Sequence, residues 1–476
     1  MESPEENVTQ KEPATEAFRD SISIVSTTGR RNWIYPKQPN GPFTRMRTIL
    51  SVILLAILLG TPFVRINGHP VMLFDITERK FIIAGMIFGP HDFSLLGLGA
   101  IALIVFIILF TAVFGRLFCG WVCPQTVLME MVFRRIDHWV EGDHREQRRL
   151  NGSPWTREKV VRKVTKYTAY FAVSFIVANA LLAWIIGSDR LLEIATAPPS
   201  EHVTGLTAML VFTGAFHWIF IWFREQACIL VCPYGRLQGV LLDRNSIVIA
   251  YDHVRGEPRG RMRRGTERNN GDCIDCGLCV DVCPTGIDIR NGTQLECVNC
   301  TACIDACDAV MDKIGKPRRL IRYDSANGIA MQSRKRWTPR VIGYSMILAV
   351  LVGVFTVLLA TRSELSITIL RTPGMFYQEQ PDGRISNVYD VKVLNKTFKE
   401  VPVSLRLDGV EGEVRLMGTV LVAQPQGIAE AKMMVLLPRQ SITSLTTPLT
   451  ISVLRDSAVV DVVTTSFLGP VTRRGG

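Results

Sequence analysis

Eight of the twelve cysteines lie between Cys273 and Cys307, in two arrays with identical spacing. Each array reads Cys-x2-Cys-x2-Cys-x3-Cys, which is the spacing of bacterial two-cluster ferredoxins. In that pattern, three cysteines of one array and the fourth cysteine of the other surround one cubane. The spacing therefore predicts two [4Fe–4S] clusters, cluster one on Cys273, Cys276, Cys279 and Cys307, and cluster two on Cys297, Cys300, Cys303 and Cys283.

Structural zinc is the alternative for these arrays, because Cys-x2-Cys is also a zinc-binding pattern. Eight cysteines in the doubled ferredoxin order favour iron–sulfur chemistry over two separate zinc sites. The small residues Gly277, Thr301 and Ala302 allow the backbone to wrap closely around a cluster. Asp308 follows Cys307 where ferredoxins carry proline, which changes a local turn but leaves the number of ligands intact.

A second cysteine motif occurs twice, as Cys119-x3-Cys123-Pro124 and Cys228-x3-Cys232-Pro233. Proline disfavours a helical conformation for the residue before it, so we expect each helix to end there, at the membrane boundary. Four soft thiols gathered from two parallel helices suit Cu(I) or zinc, or serve as a redox dithiol. The competing interpretation is that these cysteines only pack the helix ends.

The elements that position these motifs include five apolar stretches without Asp, Glu, Lys or Arg. A membrane-spanning helix needs about 20 such residues. We predict spans at Thr48–Val64, Leu95–Phe114, Tyr167–Ile186, Gly205–Phe223 and Val341–Ala360. His217 in the fourth is the one histidine within these spans, so the paired axial ligands of a b-type haem are absent from the sequence.

The net charge of +11 is concentrated in alternate loops. Lys and Arg crowd the N-terminal segment and the loops after the second and fourth spans, which predicts a cytoplasmic N-terminus, cytoplasmic clusters and an external C-terminus. This distribution accounts for the charge without a nucleic-acid partner. We interpret the following run as a solvated linker that faces anionic lipid: Arg255, Arg259, Arg261, Arg263 and Arg264.

The tail contains six short β-branched runs between turn signals such as Pro381-Asp382-Gly383, which predicts an immunoglobulin-like β-sandwich; the runs are SITIL, VYDVKVLN, VPVSLRL, VRLMGTVLV, AKMMVLL and LTISVL. The predicted fold class is therefore mixed: a five-helix membrane bundle, a two-cluster ferredoxin insert and an all-β C-terminal domain. The predicted division is a cytoplasmic segment 1–47, four membrane helices in 48–223 as two repeated pairs that each end in the CxxxCP motif, a ferredoxin domain with linkers in 224–340, a fifth membrane helix 341–360 and a periplasmic β-domain 361–476.

Three segments together resemble one family. The strings RNWIYPKQPNGPFTRMR and GRLFCGWVCPQTV, and the long segment from Cys273 to Ser325, closely resemble the CcoG family, also called FixG or RdxA. These are cytochrome c oxidase accessory proteins. The resemblance covers nearly the whole chain, including the spans and the β-domain, and the Cys307-Asp308 pair is shared with that family. The CxxxCP motif alone is less specific, since membrane polyferredoxins of the NapH type carry it too.

The resemblance implies a bacterial inner-membrane protein that reduces Cu(II) to Cu(I) during assembly of the cbb-type oxidase. The resemblance thus implies a cupric reductase with copper as its substrate, and we predict the copper site at Cys119, Cys123, Cys228 and Cys232. The implied partners are the oxidase or its copper-delivery factors, a cytoplasmic electron donor and membrane lipid, with a homo-oligomer left open. The alternatives are a NapH-like electron conduit from quinol and a non-catalytic assembly scaffold.

Overall fold

The computed structural model describes residues 23–470 except 27, 67, 77–78, 262–270, 332–336, 419–420, 443 and 456–457. The side chain of His91 is likewise not described. Residues 1–22 of the predicted cytoplasmic segment 1–47, and Arg263 and Arg264 of the predicted linker, lie outside the described residues. The chain forms two compact units, Met1–Gly85 with Gly97–Val352, and Met86–Leu96 with Gly353–Gly476.

The described α-helices range from single turns to membrane length. In chain order they are α1 (Pro42–Gly60), α2 (Phe93–Phe114), α3 (Leu117–Trp121), α4 (Pro124–Leu128), α5 (Arg134–Glu141), α6 (His144–Gly152), α7 (Arg157–Ile186), α8 (Ser188–Thr196), α9 (Val203–Trp218), α10 (Pro233–Leu241), α11 (His253–Gly256), α12 (Leu278–Asp281), α13 (Ala302–Lys313), α14 (Ala326–Met331) and α15 (Pro339–Ala360). Three π-helical segments interrupt or extend them, at Met129–Phe133, Ile219–Phe223 and Ala227–Val231.

The described β-strands are mostly short in the first unit and longer in the second. In chain order they are β1 (Arg65–Ile66), β2 (His69–Pro70), β3 (Met72–Asp75), β4 (Lys80–Ile83), β5 (Met86–Phe88), β6 (Val248–Tyr251), β7 (Ile321–Asp324), β8 (Leu365–Arg371), β9 (Gln378–Glu379), β10 (Ile385–Asn395), β11 (Val401–Asp408), β12 (Glu413–Met417), β13 (Leu421–Ala423), β14 (Ile428–Leu437), β15 (Thr446–Arg455) and β16 (Ala458–Leu468).

Within the described part of the chain five helices are long and apolar enough to cross a membrane, which makes this a multi-pass membrane protein. These helices begin earlier than the apolar runs predicted. In the first and third of the five, charged residues extend the helix at its N-terminal end. The first starts at Pro42 and includes Arg45 and Arg47. The third starts at Arg157, where the Thr156 hydroxyl caps it by accepting from the Lys159 N–H at 3.2 Å. At 30 residues it is about 45 Å long, so it extends beyond a hydrocarbon core of about 30 Å.

The ferredoxin insert has its own small core. The antiparallel pair β6 and β7 aligns Val248 with Asp324 and Tyr251 with Ile321. Its buried apolar residues pack with cysteines of the first array, and Ile249, Ile304, Met311, Leu320 and Ile321 are each no more than 2% exposed. Arg255 departs from the predicted solvated linker. It pairs with Asp272 at 2.9 Å and donates to the carbonyl of Pro317, so its charge is used within the insert.

The second unit is a two-sheet β-sandwich, as the alternating runs predicted. One antiparallel sheet has the order β12-β14-β10-β8, with β9 also paired to β10, and the other has the order β13-β11-β15-β16. Alternate residues of β10 point into the core, including Tyr389, Val391 and Val393 at 0% exposure. The Tyr389 hydroxyl donates to the Ser466 carbonyl of the opposite sheet at 2.9 Å, which joins the two sheets.

The sandwich contains two features that the sequence patterns did not predict. The run Val414–Val422 does not form one strand: it breaks at Gly418, whose φ is 120°, and its halves β12 and β13 belong to different sheets. Strand β16 was also missed, because its burial is irregular along most of its length. Within the same unit, buried Asp92 pairs with Arg362 and Lys396, both at 2.8 Å.

Candidate iron–sulfur and thiol site

The first predicted ligand set surrounds one cavity. Cys273, Cys276, Cys279 and Cys307 all line it, together with apolar side chains such as Leu278 and Ile321. Cys307 comes from helix α13 of the second array and the other three come from the first array. The fold therefore brings together the crossed set that the spacing predicts for cluster one, and four thiols around a shared space are the donor set that a cubane needs.

The second predicted set surrounds an adjacent cavity. Cys283, Cys297, Cys300 and Cys303 line it with Ile249, Ile287 and Ile289, and Cys279 lines both cavities. Within the described residues no group of three or more His, Cys, Asp or Glu side chains is arranged around a single metal ion. The four thiols that line this cavity are the second crossed set, which is the donor set that a cubane needs.

The two arrays share an unusual backbone. Asp275 and Gly277 of the first array have φ values of 53° and 73°, and the equivalent Asn299 and Thr301 have 54° and 68°. These left-handed positions bend the chain around each cavity. Thr301 is the costly member, because a β-branched residue rarely adopts this conformation. Gly277, by contrast, meets no steric cost there.

Burial controls the state of the cluster thiols. It raises the pKa of Cys279, Cys297 and Cys307 to about 12 and that of Cys300 to about 11. These thiols therefore hold their protons at neutral pH until a metal centre replaces the protons. All twelve cysteines are free in the structure, so none of these ligands is withdrawn into a disulfide.

The CxxxCP motifs follow a break in the chain that occurs twice. Helix α2 ends at Phe114, Gly115 turns with φ 57°, and Cys119 lies on the separate short helix α3. In the second repeat Arg224 turns with φ 46° after the fourth span, and Cys228 lies on the π-helical segment Ala227–Val231. This corrects the prediction that each membrane helix pair ends in the motif itself: the spans stop four or more residues earlier.

The prolines act as the sequence predicted. Cys123 and Cys232 have extended backbones, with ψ of 122° and 110°. Pro124 and Pro233 then each begin a new helix, where proline's missing N–H and fixed φ suit the first position. The second cysteine of each motif therefore lies at the junction of two helical segments.

The four motif cysteines lie near one another. Burial is the main cause that raises the pKa of Cys228 to about 12, and the Cys123, Cys119 and Cys232 thiols contribute smaller increases. Burial likewise raises the pKa of Cys119 to about 11, opposed by the positive charge of Arg116. The Cys119 thiol donates to Oε1 of fully buried Gln238 at 3.0 Å. We refer to Cys119, Cys123, Cys228 and Cys232 as the thiol quartet.

The first motif packs directly against the loop of cluster two. Cys119 belongs to one buried cluster with Cys300 and Val298. A Cβ on Gly120 would lie 2.3 Å from the Val298 carbonyl oxygen, so only glycine allows this approach. Trp121 Nε1 donates to the Tyr323 hydroxyl at 2.9 Å, and that hydroxyl donates to the Asn299 carbonyl at 3.0 Å. The motif and the second array therefore share one packed interface.

A buried ion network connects the segment after the first motif to the third span and to the residue that turns the chain before the second motif. Asp137 on α5 binds Lys166 at 2.7 Å and Arg224 at 3.0 Å, and it accepts from the Tyr170 hydroxyl at 2.8 Å. Glu141, fully buried, binds Lys163 at 2.7 Å and Lys166 at 3.0 Å. Because Asp137 and Arg224 come from the two repeats, their pair holds the repeats together. Sequence reasoning missed this network, since charge patterning does not reveal which distant residues meet.

His217 makes an ordinary contact between helices. Its Nδ1 lies 3.5 Å from the Ser174 hydroxyl, and its ring meets Phe171 edge-on with centroids 5.5 Å apart. Both partners belong to α7. The fold therefore places this histidine in the packing of the third span against the fourth.

Family models match three regions of the chain. A 4Fe–4S dicluster domain matches residues 223–326, and a 4Fe–4S binding domain matches residues 96–142. The immunoglobulin-like fold at the C-terminus of FixG matches residues 355–470. Helices, dicluster domain and sandwich together define a membrane-bound iron–sulfur electron-transfer protein that carries [4Fe–4S] clusters.

Curated relatives identify the family. Protein RdxB of Cereibacter sphaeroides is 36% identical over 397 residues, covering 78% of this chain and 81% of that protein. Nitrogen fixation protein FixG of Rhizobium meliloti is 31% identical over 463 residues, covering 86% and 87%. A crystal structure of a FixG-related protein from Vibrio parahaemolyticus aligns with this chain at 18% identity and a TM-score of 0.20. The alignment covers 22% of this chain and 97% of the Vibrio chain. The chain belongs to the FixG/RdxA family.

Proposed function

We propose that this protein reduces Cu(II) to Cu(I) for assembly of a cbb-type cytochrome oxidase. The observation that carries the proposal is the shared buried cluster of Cys119 and Cys300, in which one member of the thiol quartet packs against a cysteine that lines the second cavity. A soft metal ion bound at the quartet would then lie at the end of the electron path. Thiolates are the ligands that select cuprous ion among the common metals.

The two crossed cysteine sets would hold the two clusters, which would supply electrons one at a time. The chain provides the path: Cys279 lines both the cavity that would hold cluster one and the cavity that would hold cluster two, and Cys119 of the first motif packs against Cys300 of the second cavity. The substrate ion gains one electron, so Cu(II) becomes Cu(I). No bond to carbon or oxygen is formed in this step. Cys119 and Cys228 would lose their protons on binding the ion, and their raised pKa makes that loss unfavourable in the absence of the ion.

The sidedness is part of the proposal. We infer an inner-membrane protein with its N-terminus and clusters in the cytoplasm and the β-sandwich in the periplasm, supported by the excess of Lys and Arg in the loops that adjoin the motifs. A cytoplasmic reductant then feeds cluster one, and the oxidase or its copper-delivery factors take the product. A cysteine-accessibility assay with single reporters in the sandwich and at the N-terminus tests this arrangement.

The direct test replaces all four quartet cysteines by serine in the full-length protein. We expect cupric reductase activity, measured anaerobically with a Cu(I)-specific chelator and limiting dithionite, to fall by about 100-fold or more, since the bound ion loses every thiolate. Iron and sulfide contents should not change. His217→Ala is the matched control, because it removes another metal-ligand side chain of the membrane part, and it should keep full activity. Unchanged activity in the quartet variant, with intact clusters, contradicts the proposal.

A second candidate is an electron conduit of the NapH type, in which the quartet holds a further iron–sulfur cluster. The family model for 4Fe–4S binding at residues 96–142 supports it, since that range contains Cys119 and Cys123. Iron analysis separates the two functions: two cubanes give about eight iron atoms per chain and three give about twelve. Quinol oxidation by the purified protein also favours the conduit. A scaffold role predicts that variants without clusters still support oxidase maturation.

A further inference from the structure

A basic cavity beside cluster two takes no part in the steps above. Its volume is about 50 Å³, and its lining includes Lys37, Arg47, Arg134, Arg135 and the cluster-two cysteine Cys300. One water molecule needs roughly 10–15 Å³ by a comparable measure. The cavity therefore has room for a group larger than one water, such as a tetrahedral oxyanion.

The lining of this cavity is strongly cationic. Four of its side chains carry positive charge, and Glu130 is the one carboxylate among its lining residues. Glu130 already binds Nε of Arg134 at 3.0 Å. His138 also lines the cavity, and burial lowers its pKa, so it adds no charge at pH 7. Arg134 also binds the buried carboxylate of Glu225 at 3.4 Å, so its charge is balanced. Lys37, Arg47 and Arg135 form no ion pair with a carboxylate of the described residues, so the cavity keeps an excess of positive charge.

Two of the cationic side chains are buried and incompletely bonded. Arg47 is 4% exposed, and its Nε donates to the Gly120 carbonyl at 2.7 Å. Arg134 is also 4% exposed, and its Nη2 donates to the Pro284 carbonyl at 3.2 Å. Among the described residues, neither Nη2 of Arg47 nor Nη1 of Arg134 has a hydrogen-bond partner. Buried charged donors without an acceptor are costly, so both call for an anionic one.

The cavity lies at the start of a membrane span. Thr44 and Arg47, in the first turns of α1, line it, and α1 opens the first candidate span. Arg135, an exposed residue, lies at its edge. Lipid phosphates occupy this level of a bilayer, and basic pockets there are typical binding places for anionic headgroups.

We propose that the cavity binds a phosphate-type oxyanion, and that the phosphodiester of an anionic lipid headgroup is its ligand. Guanidinium groups suit this ligand because their paired N–H groups match two phosphate oxygens. Free inorganic phosphate has the same chemistry, so the experiment separates the two sources. The test of this site requires cluster two to be present, but it does not require that the protein reduces copper.

The anion and cluster two share a wall, which couples them. Arg47 lines the cavity with Cys300, and its positive charge acts on that sulfur. Reduction adds one negative charge to cluster two. A bound anion therefore makes reduction less favourable and lowers the potential of that cluster, and by linkage reduction weakens anion binding by the same factor.

The experiment uses full-length protein with both clusters, in nanodiscs of phosphatidylcholine alone, of phosphatidylcholine with phosphatidylglycerol, or of phosphatidylcholine with added inorganic phosphate. EPR-monitored redox titration gives the midpoint potential of each cluster. We expect phosphatidylglycerol to shift the midpoint potential of cluster two to a more negative value, and to shift the midpoint potential of cluster one by a smaller amount. A shift with inorganic phosphate alone assigns the site to soluble phosphate and overturns the lipid source. No shift in either arm overturns the site.

Variants and a variant-free measurement complete the test. Arg47→Gln should weaken the anion dependence about tenfold or more, through loss of a charge-assisted bond. Arg145→Gln, an exposed arginine on α6, should keep it. If Arg47→Gln does not retain its clusters, wild-type protein decides: short-chain phosphatidylglycerol should bind the oxidised form more tightly than the dithionite-reduced form, and equal binding contradicts the proposal.

Discussion

The two cysteine systems of this protein are built in opposite ways. The eight cluster cysteines lie within one continuous segment, and left-handed residues such as Gly277 and Thr301 wrap that segment around its cavities. The thiol quartet comes from two repeats far apart in sequence, and each motif is a junction of short helices interrupted by proline. Both systems contain buried thiols with raised pKa values, so burial alone does not distinguish them.

The difference shows what each system depends on. The cluster sets depend on local spacing and tolerate little change in it, because the four thiols must fit one cubane. The quartet depends on tertiary contacts: Gly120 against the cluster-two loop, and Asp137 with Arg224 across the repeats. Substitutions that strike one system and spare the other therefore test this division.

The largest effect is expected from Cys303→Ser, which removes a predicted ligand of cluster two. About half of the iron should be lost, since one of two cubanes loses a buried thiolate. Cupric reductase activity should fall to background, because electrons no longer reach the quartet. Cys123→Ser is the matched control, and it should keep the iron content of wild type. Equal iron loss in both variants would contradict the prediction that the cluster cysteines and the thiol quartet are separate systems.

Next in size is Asp137→Asn, which targets the ion network. Loss of this carboxylate leaves Lys166 short of one partner and Arg224 uncompensated in a buried place, at a cost of about 3–5 kcal/mol. Unfolding in detergent, followed by circular dichroism, gives the change. The exposed pair of Asp312 and Arg318 provides the control, because Asp312→Asn should have almost no effect.

The same carboxylate predicts a pH dependence. Burial raises the pKa of Asp137, but the charges of Arg224 and Lys166 outweigh burial and lower it to about 2. Because the pKa of Asp137 is lower in the folded state, its ionised carboxylate stabilises the fold fully at pH values above the ordinary pKa of about 3.9. This stabilisation is lost as the pH falls toward 2. Wild type should therefore lose stability in this window more steeply than Asp137→Asn. Parallel curves for the two proteins contradict the assignment.

A smaller effect is expected from Gly120→Ala. The added Cβ meets the Val298 carbonyl, which belongs to backbone and cannot rotate away, so the first motif must move from the cluster-two loop at a cost of about 1–3 kcal/mol. Electron transfer from reduced clusters to copper should slow in stopped-flow experiments while iron content stays constant. Gly214→Ala on the fourth span has open space around its Cβ and should transfer electrons at the wild-type rate.

The smallest effect is expected from Tyr323→Phe. The substitution removes the hydroxyl that joins Trp121 to the Asn299 carbonyl, at a cost of about 1 kcal/mol. Trp121 fluorescence should change, because its indole N–H loses a partner. Tyr344→Phe, on the fifth span, provides a comparison outside this interface. An unaltered Trp121 signal in Tyr323→Phe shows that the contact does not bind the two systems together.

Much of the fold follows from periodicity and composition. Five apolar runs predicted the membrane helices, and alternating residues predicted the sandwich, because burial in lipid or between sheets imposes those patterns. Helix starts were less accurate: Arg157 begins the third helix although its charge does not belong in lipid. The split at Gly418 was not predictable either, since pairing with a different sheet leaves no local signal.

For the sites, spacing by itself determined the cluster sets, and the fold brings Cys307 to the first array as the crossed pattern requires. Tertiary structure decided that Cys119 adjoins Cys300, that Arg224 pairs with Asp137, and that Arg47 is left with an unbonded nitrogen beside cluster two. The physical reason is the distance along the chain over which each feature is encoded. Ligand spacing around a cubane is encoded within a few residues of chain, whereas burial and charge pairing depend on which distant segments the fold brings into contact.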